Sequence, residues 1–235
     1  MDGGHLRSIT GCGTLEAWDV IVLGDGPAAL RSAAESAKSG ASTLMLCENA
    51  LGSTSHFAQD GLAAPLQESN NRDHREDTIR SGAFLNDQDI VALRTAAATR
   101  QVDLLERWGL TFRRDAQGLP MARKAIGHGK ARNADAGDAT GREIQQILEE
   151  QCMRYGVTRR GDHLPLSLIH TNESVSGITV VDTVNGRITA LQAKAIIIAD
   201  GGFEGAFSHG QVGLGLDLAL RAGVPLRDME FIAHS

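Results

Sequence analysis

Cysteine, proline and aromatic residues are scarce in this sequence. Its 235 residues include three cysteines, five prolines and one tyrosine. The cysteines, Cys12, Cys47 and Cys152, are odd in number and irregularly spaced, which argues against a disulfide framework and a zinc knuckle. A single tyrosine gives little support for a nucleic-acid site built on stacked aromatic rings. The composition is therefore that of a globular protein from a reducing compartment.

Long apolar runs and an excess of positive charge are also missing. No run reaches membrane-spanning length, and the first residues have no apolar segment of signal-peptide length. The formal charge of -6 would repel nucleic acid and anionic membranes at long range. The histidines show no paired metal-ligand spacing, and Arg113-Arg114 and Arg159-Arg160 are interpreted as solvated basic pairs. We predict no metal, no nucleic-acid partner, no direct membrane span and a cytoplasmic location.

A βαβ pattern near the N-terminus is the first positive signal. The run from Trp18 to Leu23 is short and nearly continuously apolar, as expected of a parallel strand that is covered on both faces. Apolar positions follow at helical spacing from Pro27 to Ser39, and Gly40 then ends the helix before a second strand from Thr43 to Cys47. The pattern predicts an α/β fold with a parallel sheet.

The rest of the chain continues this alternation and adds a β-meander. Residues 50–65 are predicted as a long functional loop. Further helices are predicted at 73–82, 87–108, 140–155 and 214–222, and strands at 166–170, 177–183, 187–191, 195–199 and 229–232. Thr140 and Glu143 have the spacing of a capping box, and Asn185-Gly186 favours a tight hairpin turn.

The glycine-rich turn after the first strand is the strongest local motif. Gly24 permits a tight turn, Gly26 lets the backbone approach a pyrophosphate, and the small Ala29 lets helix and strand pack closely. The helix N-terminus attracts phosphate groups. Glu48 closes the second strand at about the 20-residue spacing of a carboxylate that binds a ribose hydroxyl. The motif predicts dinucleotide binding, although Asp25 places a repelling carboxylate inside the turn.

Several ordered motifs resemble the flavoprotein subunits of succinate dehydrogenase and fumarate reductase and the related L-aspartate oxidase. The resemblance runs from Asp19 to Phe231. Besides the glycine turn it rests on the motifs at 53–61, Asp77-Thr78, 86–89, 138–142, 199–202, 221–223 and 229–231. It implies a Rossmann-like domain of the glutathione-reductase type with an added small β-meander. It also implies hydride transfer between a dicarboxylate or amino acid and FAD.

The cofactor-binding residues that follow from the turn and the resemblance form two groups. They are Gly24, Asp25, Gly26, Pro27, Ala28, Ala29 and Glu48 on the ADP side, and Ser53, Thr54, Ser55, His56, Phe57, Ala58, Gln59, Asp60 and Gly61 on the flavin side. When Ala58-Gln59 is aligned with the family, Thr54 falls where respiratory members carry a flavin-linked histidine, and His56 lies two residues late. We therefore expect non-covalent FAD.

Departures from the family keep alternatives open. Asp25, Asp60, Asp200 and Leu214 stand where FAD contacts are expected, which motivates the alternative of a non-catalytic structural or interaction subunit. An NAD-binding dehydrogenase is a third interpretation, which the long flavin-side loop disfavours. Residues 1–16 are expected to be a flexible N-terminus and 17–235 an FAD-binding domain that ends before the family's capping domain. The catalytic residues are then unknown. We expect a partner chain that supplies the capping domain or an iron-sulfur subunit. Such partner subunits would also attach the protein peripherally to the inner face of a membrane.

Overall fold

The structure of the chain is a computed structural model, and it describes residues 5–9, 12–48, 61–66, 71–118, 120–171, 174–207 and 210–232. The chain divides into two compact units. Unit 1 consists of residues Met1–Thr54 and Leu148–Ser235, and unit 2 consists of residues Ser55–Ile147. In the sequence, unit 2 therefore stands between the two segments of unit 1.

The five described helices and five of the described strands were predicted from the sequence, whereas the other described strands were not. The strands in chain order are β1 (His5–Ile9), β2 (Cys12–Leu23), β3 (Thr43–Leu46), β4 (Leu62–Ala63), β5 (Ala122–Arg123), β6 (Asn133–Ala134), β7 (Thr158–Arg160), β8 (His163–Thr171), β9 (Ser174–Asp182) and β10 (Ile188–Ile198). The helices are α1 (Pro27–Lys38), α2 (Asn71–Ser81), α3 (Gln88–Arg107), α4 (Thr140–Arg154) and α5 (Leu214–Arg221). A short 3-10 turn covers Glu204–Ala206.

Unit 1 is built on a mixed seven-stranded sheet. Its order is β7-β3-β2-β10-β9-β8, with β1 paired to β2. Strands β7, β3, β2 and β10 are parallel neighbours, and β8, β9 and β10 form an antiparallel meander. A parallel sheet extended by a β-meander is the predicted fold class, which is confirmed.

The parallel strands of unit 1 are buried because their apolar runs are covered on both faces. Ile21, Val22 and Leu23 at the end of β2 are each at most 1% exposed. Helix α1 packs against β2 and β3 through a face that is mostly small, since the buried residues are Ala29, Ala33 and Ala34 together with Leu30. Alanine at these positions lets the helix axis approach the sheet closely.

Several elements differ from the prediction in their extent. The strands predicted at 187–191 and 195–199 are one continuous strand, β10. It pairs with β9 through its first half and with β2 through residues 191–198. The prediction of a strand at 229–232 is wrong. This segment contains a turn, in which the Phe231 N–H donates a hydrogen bond to the Asp228 carbonyl. The hairpin between β9 and β10 is confirmed, but Asp182 and Arg187 enclose four loop residues rather than two.

The capping box predicted at the start of α4 is not formed. The Thr140 hydroxyl donates to the Gly137 carbonyl and accepts from the Ala136 N–H, at 2.8 and 3.0 Å. The Glu143 N–H instead donates to the Ala139 carbonyl. Thr140 thus stabilises the preceding turn, which local spacing could not distinguish from a helix cap.

Residues 5–9 and 12–16, which belong to the terminus predicted to be flexible, lie in paired strands in the structure. Strand β1 pairs antiparallel with the first half of β2, with His5 opposite Ala17 and Ile9 opposite Cys12. The predicted first strand, 18–23, is therefore only the second half of β2. This difference arises because the polar and glycine-containing residues before Trp18 lack the apolar run by which a buried strand is recognised.

Unit 2 combines helices α2 and α3 with a small three-stranded sheet of order β4-β6-β5. Its apolar core includes Val102 and Leu105 of α3, Phe112 from the following segment and Ile147 of α4. Asp87 caps α3, since its carboxylate accepts from the N–H groups of Asp89 and Ile90 at 3.2 Å each.

Candidate functional site

The candidate site lies at the edge of the unit 1 sheet where β2, β3 and β10 end. The Gly24 N–H donates to the Leu46 carbonyl at 2.9 Å, and the Ala199 N–H donates to the Leu23 carbonyl at 2.9 Å. These bonds hold the ends of three parallel strands together. The carboxyl edge of an open parallel sheet is where α/β proteins bind ligands.

Gly24 forms the turn that leaves β2, and no other residue type fits there. Its φ is +112°, in the region that residues with a Cβ rarely adopt. A Cβ at this position would lie 2.3 Å from the Ala199 carbonyl oxygen and 2.9 Å from the Asp200 Cα. The glycine is therefore required by the close approach of two strand ends within the protein, before any ligand is considered.

Gly26 has a different role, because it is the N-cap of α1. Its φ of −75° and ψ of 175° are extended values that any residue can adopt. Pro27 is the first helical residue and has no N–H, which leaves the N–H groups of Ala28 and Ala29 at the open end of the helix. Gly26 has no side chain to cap them and its first turn carries no acidic residue. The helix end can therefore receive an anion.

A cleft of about 70 Å³ opens at this edge. Three carboxylates line it, those of Asp25, Glu48 and Asp200, together with His163 at the start of β8. Glu48 is exposed, two residues after the end of β3, so that its carboxylate is accessible to a hydroxyl-bearing ligand. His163 donates from Nδ1 to the Gly161 carbonyl at 2.7 Å, because a carbonyl oxygen can only accept.

Asp200 is tied to the N-terminus of α5. Its Oδ2 accepts from the Gly215 N–H at 2.7 Å. A Cβ on Gly215 would lie 2.2 Å from Asp200 Oδ1, so the helix end is fitted closely around this carboxylate. A negative charge at a helix N-terminus is favourable. Asp200 is thus a helix cap, which gives a structural reason for one of the departures noted in the sequence.

Asp25 places a carboxyl group with a raised pKa in the cleft. It is half-buried in the turn between β2 and α1. Burial raises its pKa above the ordinary value, and the guanidinium of Arg159 opposes that rise by attracting the charged form. Arg159 was expected to be solvated. Arg159 instead donates from Nε to Cys47 Sγ at 3.4 Å, and its Nη1 lies 3.3 Å from Glu149 Oε1. The neighbouring Arg160 donates to both carboxylate oxygens of Glu16.

In unit 2 a second group of charges surrounds the buried carboxylate of Asp135, which follows β6. The Asp135 carboxylate is fully buried and accepts from the Gly137 N–H at 2.9 Å and from Arg123 Nε at 2.6 Å, with Arg113 Nε at 3.4 Å. Gly61 lies against this strand with φ +85°, and a Cβ there would lie 2.6 Å from the Ala134 carbonyl oxygen. The last residue of the predicted flavin-side loop is therefore glycine because of close packing within unit 2.

Asp77, His128 and Arg132 form an adjoining polar cluster in unit 2. Arg132 is 2% exposed and donates from Nη1 to Asp77 Oδ2 and to His128 Nδ1, at 2.8 Å each. Because arginine cannot accept, His128 must be unprotonated at Nδ1. The Gly129 N–H and Arg132 lower the pKa of Asp77, and burial lowers the pKa of His128. Sequence reasoning missed this cluster, since only the fold brings α2 beside the segment 128–132.

The predicted site residues are thus located as follows. Gly24, Asp25 and Glu48 line one cleft at the edge of unit 1, and the residues from Gly26 to Ala29 follow in the N-cap and first turn of α1. Ser53 to Asp60 lie outside the described residues, and Gly61 belongs to unit 2. Arg159 was missed as a site neighbour, because a basic pair on a short strand carries no local signal of its surroundings. Among the described residues no group of His, Cys, Asp or Glu could hold a metal ion, and no helix is long and apolar enough to cross a membrane.

Comparison with known proteins gives a consistent family match. The family described as "FAD binding domain" matches residues 19–234. The L-aspartate oxidase of Streptomyces coelicolor is 35% identical over 227 residues, which cover 91% of this chain. A fumarate reductase flavoprotein subunit of Mycobacterium tuberculosis is 30% identical over 226 residues and 92% of this chain. In both comparisons the match spans 39% of the relative's own length.

Solved structures agree with this match. A structure of Escherichia coli quinol fumarate reductase superposes with a TM-score of 0.85 and 28% identity, covering 92% of this chain and 38% of that chain. Another, from Mycobacterium smegmatis Sdh1, has a TM-score of 0.80 at 29% identity, with 88% and 38% covered. The similarity therefore extends over almost all of this chain and about two fifths of its relatives.

Proposed function

We propose that this chain, which belongs to the FAD binding domain family, binds the ADP half of FAD at the carboxyl edge of the unit 1 sheet and serves in an oxidoreductase of the succinate dehydrogenase, fumarate reductase and L-aspartate oxidase kind. The observation that carries the proposal is the uncapped N-terminus of α1 beside an exposed carboxylate. A dinucleotide needs both a site for its pyrophosphate and a partner for its ribose, and the two stand at one edge of the sheet.

Each part of the ADP half has a candidate partner in unit 1. The pyrophosphate would be held by the N–H groups of Ala28 and Ala29, at the positive end of the α1 dipole. The absence of a side chain on Gly26 leaves room for its approach. Glu48 would accept from a ribose hydroxyl. The residues present therefore fit the ADP half of the cofactor, although the Asp25 carboxyl group lies in the turn itself.

The flavin half is assigned to residues 53–61 from the family resemblance. Because His56 lies two residues after the position of the flavin-linked histidine, we propose that FAD is held without a covalent bond. This segment lies outside the described residues except for Gly61. The family domain extends over residues 19–234, and we retain the proposal that 17–235 form one FAD-binding domain, into which unit 2 is inserted.

Bound FAD would supply the acceptor or donor of a hydride, and the protein would position it. The relatives' names suggest a dicarboxylate or amino-acid substrate. Since fumarate reductase and succinate dehydrogenase relatives are named as flavoprotein subunits, we propose that the complete protein works with partner chains, including an iron-sulfur subunit, and is attached peripherally to a membrane through them.

The absorbance spectrum of the purified chain, before and after acid precipitation, tests this proposal. We expect a flavin spectrum whose chromophore is released by acid. Gly26→Val should abolish binding while leaving the fold intact, because the backbone angles of Gly26 suit a branched residue but its side chain would enter the pyrophosphate site. Ser39→Val, at the exposed opposite end of α1, is the matched control and should keep the flavin. A folded, colourless chain that cannot be reconstituted would instead support a structural subunit.

A further inference from the structure

The turn that would carry the pyrophosphate contains a carboxyl group of its own. Asp25 stands between Gly24, where β2 has ended, and Gly26, which is the N-cap of α1. The N–H groups proposed to hold the pyrophosphate, those of Ala28 and Ala29, belong to the first turn of the same helix. Because three residues span at most about 11 Å, the chain itself keeps Asp25 close to any anion at this helix end.

Two further carboxyl groups are held against the same turn. The Gly24 N–H donates to the Leu46 carbonyl at 2.9 Å, which places Glu48, two residues later, beside the turn. In addition, a Cβ on Gly24 would lie 2.9 Å from the Asp200 Cα. Asp25, Glu48 and Asp200 consequently line one cleft of about 70 Å³. So many carboxyl groups in a small cleft oppose the approach of a dianionic pyrophosphate, because like charges repel more strongly where water is partly excluded.

The protein accommodates the three carboxyl groups in different ways. Asp200 accepts from the Gly215 N–H at 2.7 Å, at the positive end of the α5 dipole. Glu48 is exposed, so that solvent screens it, and it is the proposed partner of a ribose hydroxyl. Asp25 is half-buried, and burial is the main cause of its raised pKa. A second anion at the turn would favour the neutral form of Asp25 further, because a like charge disfavours ionisation.

The charged and titratable groups around Asp25 come from several elements. They are Cys47 and Glu48 after β3, Glu149 on α4, Arg159 on β7, His163 at the start of β8 and Asp200 after β10. Burial raises the pKa of the Cys47 thiol, which is therefore neutral near pH 7. Arg159 is permanently charged. Among these described groups, His163 is thus the one side chain other than a carboxylate that can change its charge near neutral pH.

We propose that the dinucleotide binds to this turn together with one proton, which the carboxyl group of Asp25 takes up from solvent. A neutral carboxyl group does not repel the pyrophosphate and can donate a hydrogen bond to an anionic oxygen. The inference rests on the proposed FAD-binding function and adds a pH dependence to it. Since protonation favours binding, the affinity for FAD should be highest at low pH and should fall as pH rises through the pKa of Asp25.

FAD titrations at a series of pH values test the proposal. Dissociation constants are measured by flavin fluorescence for the wild type and for Asp25→Asn between pH 5.5 and 8.5. We expect the wild-type constant to rise about 10-fold over this range, and that of Asp25→Asn to stay the same, because asparagine is neutral at every pH. Asp25→Asn should therefore bind FAD more tightly than the wild type at pH 8.5. Calorimetry in two buffers of different ionisation enthalpy should show proton uptake by the wild type and none by Asp25→Asn.

Two further variants separate Asp25 from its neighbours. Glu149→Gln removes a nearby carboxylate that is not among the residues lining the cleft, and His163→Gln removes the histidine that could otherwise take up the proton. Both should keep the pH dependence, and circular dichroism without FAD checks that each variant folds. A pH dependence that persists in Asp25→Asn or disappears in His163→Gln would overturn the inference, as would a wild-type affinity that does not change with pH. If neither the wild type nor Asp25→Asn binds FAD at any pH, the proposed function itself fails, which is a distinguishable outcome.

Discussion

Replacing Gly24 with alanine should destabilise the protein even when no cofactor is present. The added Cβ would lie 2.3 Å from the Ala199 carbonyl oxygen and 2.7 Å from its carbon, both of them backbone atoms at the end of β10. Neither atom can move away without loosening the sheet, because the Ala199 N–H is bonded to the Leu23 carbonyl at 2.9 Å. The substitution therefore disturbs the point where two parallel strands end.

Two contributions lower the free energy of unfolding of this variant, and a third partly offsets them. A φ of +112° is strained for alanine by about 1–2 kcal/mol. The overlap with β10 adds roughly 1–3 kcal/mol, as overpacking does in cores. The smaller conformational entropy of unfolded alanine returns about 0.4–1 kcal/mol. We expect a net loss of roughly 2–4 kcal/mol, a large fraction of the 5–15 kcal/mol that typically stabilises a domain.

Gly40 supplies a matched control for the backbone contribution. It follows α1 with φ +90°, and a Cβ there would meet no atom within 4 Å. Gly40→Ala therefore shares the backbone strain and the entropy change but has no overlap. Urea unfolding of both variants without FAD, followed by circular dichroism, should show Gly24→Ala less stable than Gly40→Ala by about 1–3 kcal/mol. Equal losses would refute the steric argument and would mean that backbone strain alone selects glycine at position 24.

Two further changes test other parts of the structure. Asp200→Ala should lower the free energy of unfolding by about 0.5–2 kcal/mol, because α5 loses its cap. Asp217→Asn, on the exposed face of α5, should lower the free energy of unfolding by less. Equal effects of the two substitutions in urea titrations would contradict the capping role of Asp200. Burial and Arg132 lower the pKa values of His74 and His128 from the ordinary 6.5, so the unfolded chain takes up protons first. The free energy of unfolding should be highest above pH 6.5 and should fall as pH drops through the lowered pKa values of the folded state. The double variant His74→Gln with His128→Gln should flatten this pH dependence, whereas His170→Gln at an exposed site should not. An unchanged pH dependence in the double variant would show that other groups cause it.

Local pattern was sufficient for the elements that are buried by their own apolar runs. Helix α1 and strand β3 lie within a residue of their predicted ends, because proline and glycine mark the helix limits and the strand is continuously apolar. The same reasoning divided β10 in two, since Gln192 and Lys194 interrupt its apolar pattern. Pairing with β2 and β9 supplies backbone hydrogen bonds along the whole strand, and such pairing is invisible to a local window.

The sequence by itself determined the glycine turn after β2 and its spacing to Glu48, because glycine angles, an open helix end and strand length are local properties of the chain. Tertiary structure alone decided which charges surround that turn. Arg159 is more than 130 residues from Asp25, and Gly215 is 15 residues from the Asp200 carboxylate that binds it. A parallel sheet gathers the ends of strands that are distant in sequence, and electrostatic energy depends on the resulting distances and burial. For that reason Asp200 looked like a weakened cofactor contact in the sequence and is a helix cap in the fold.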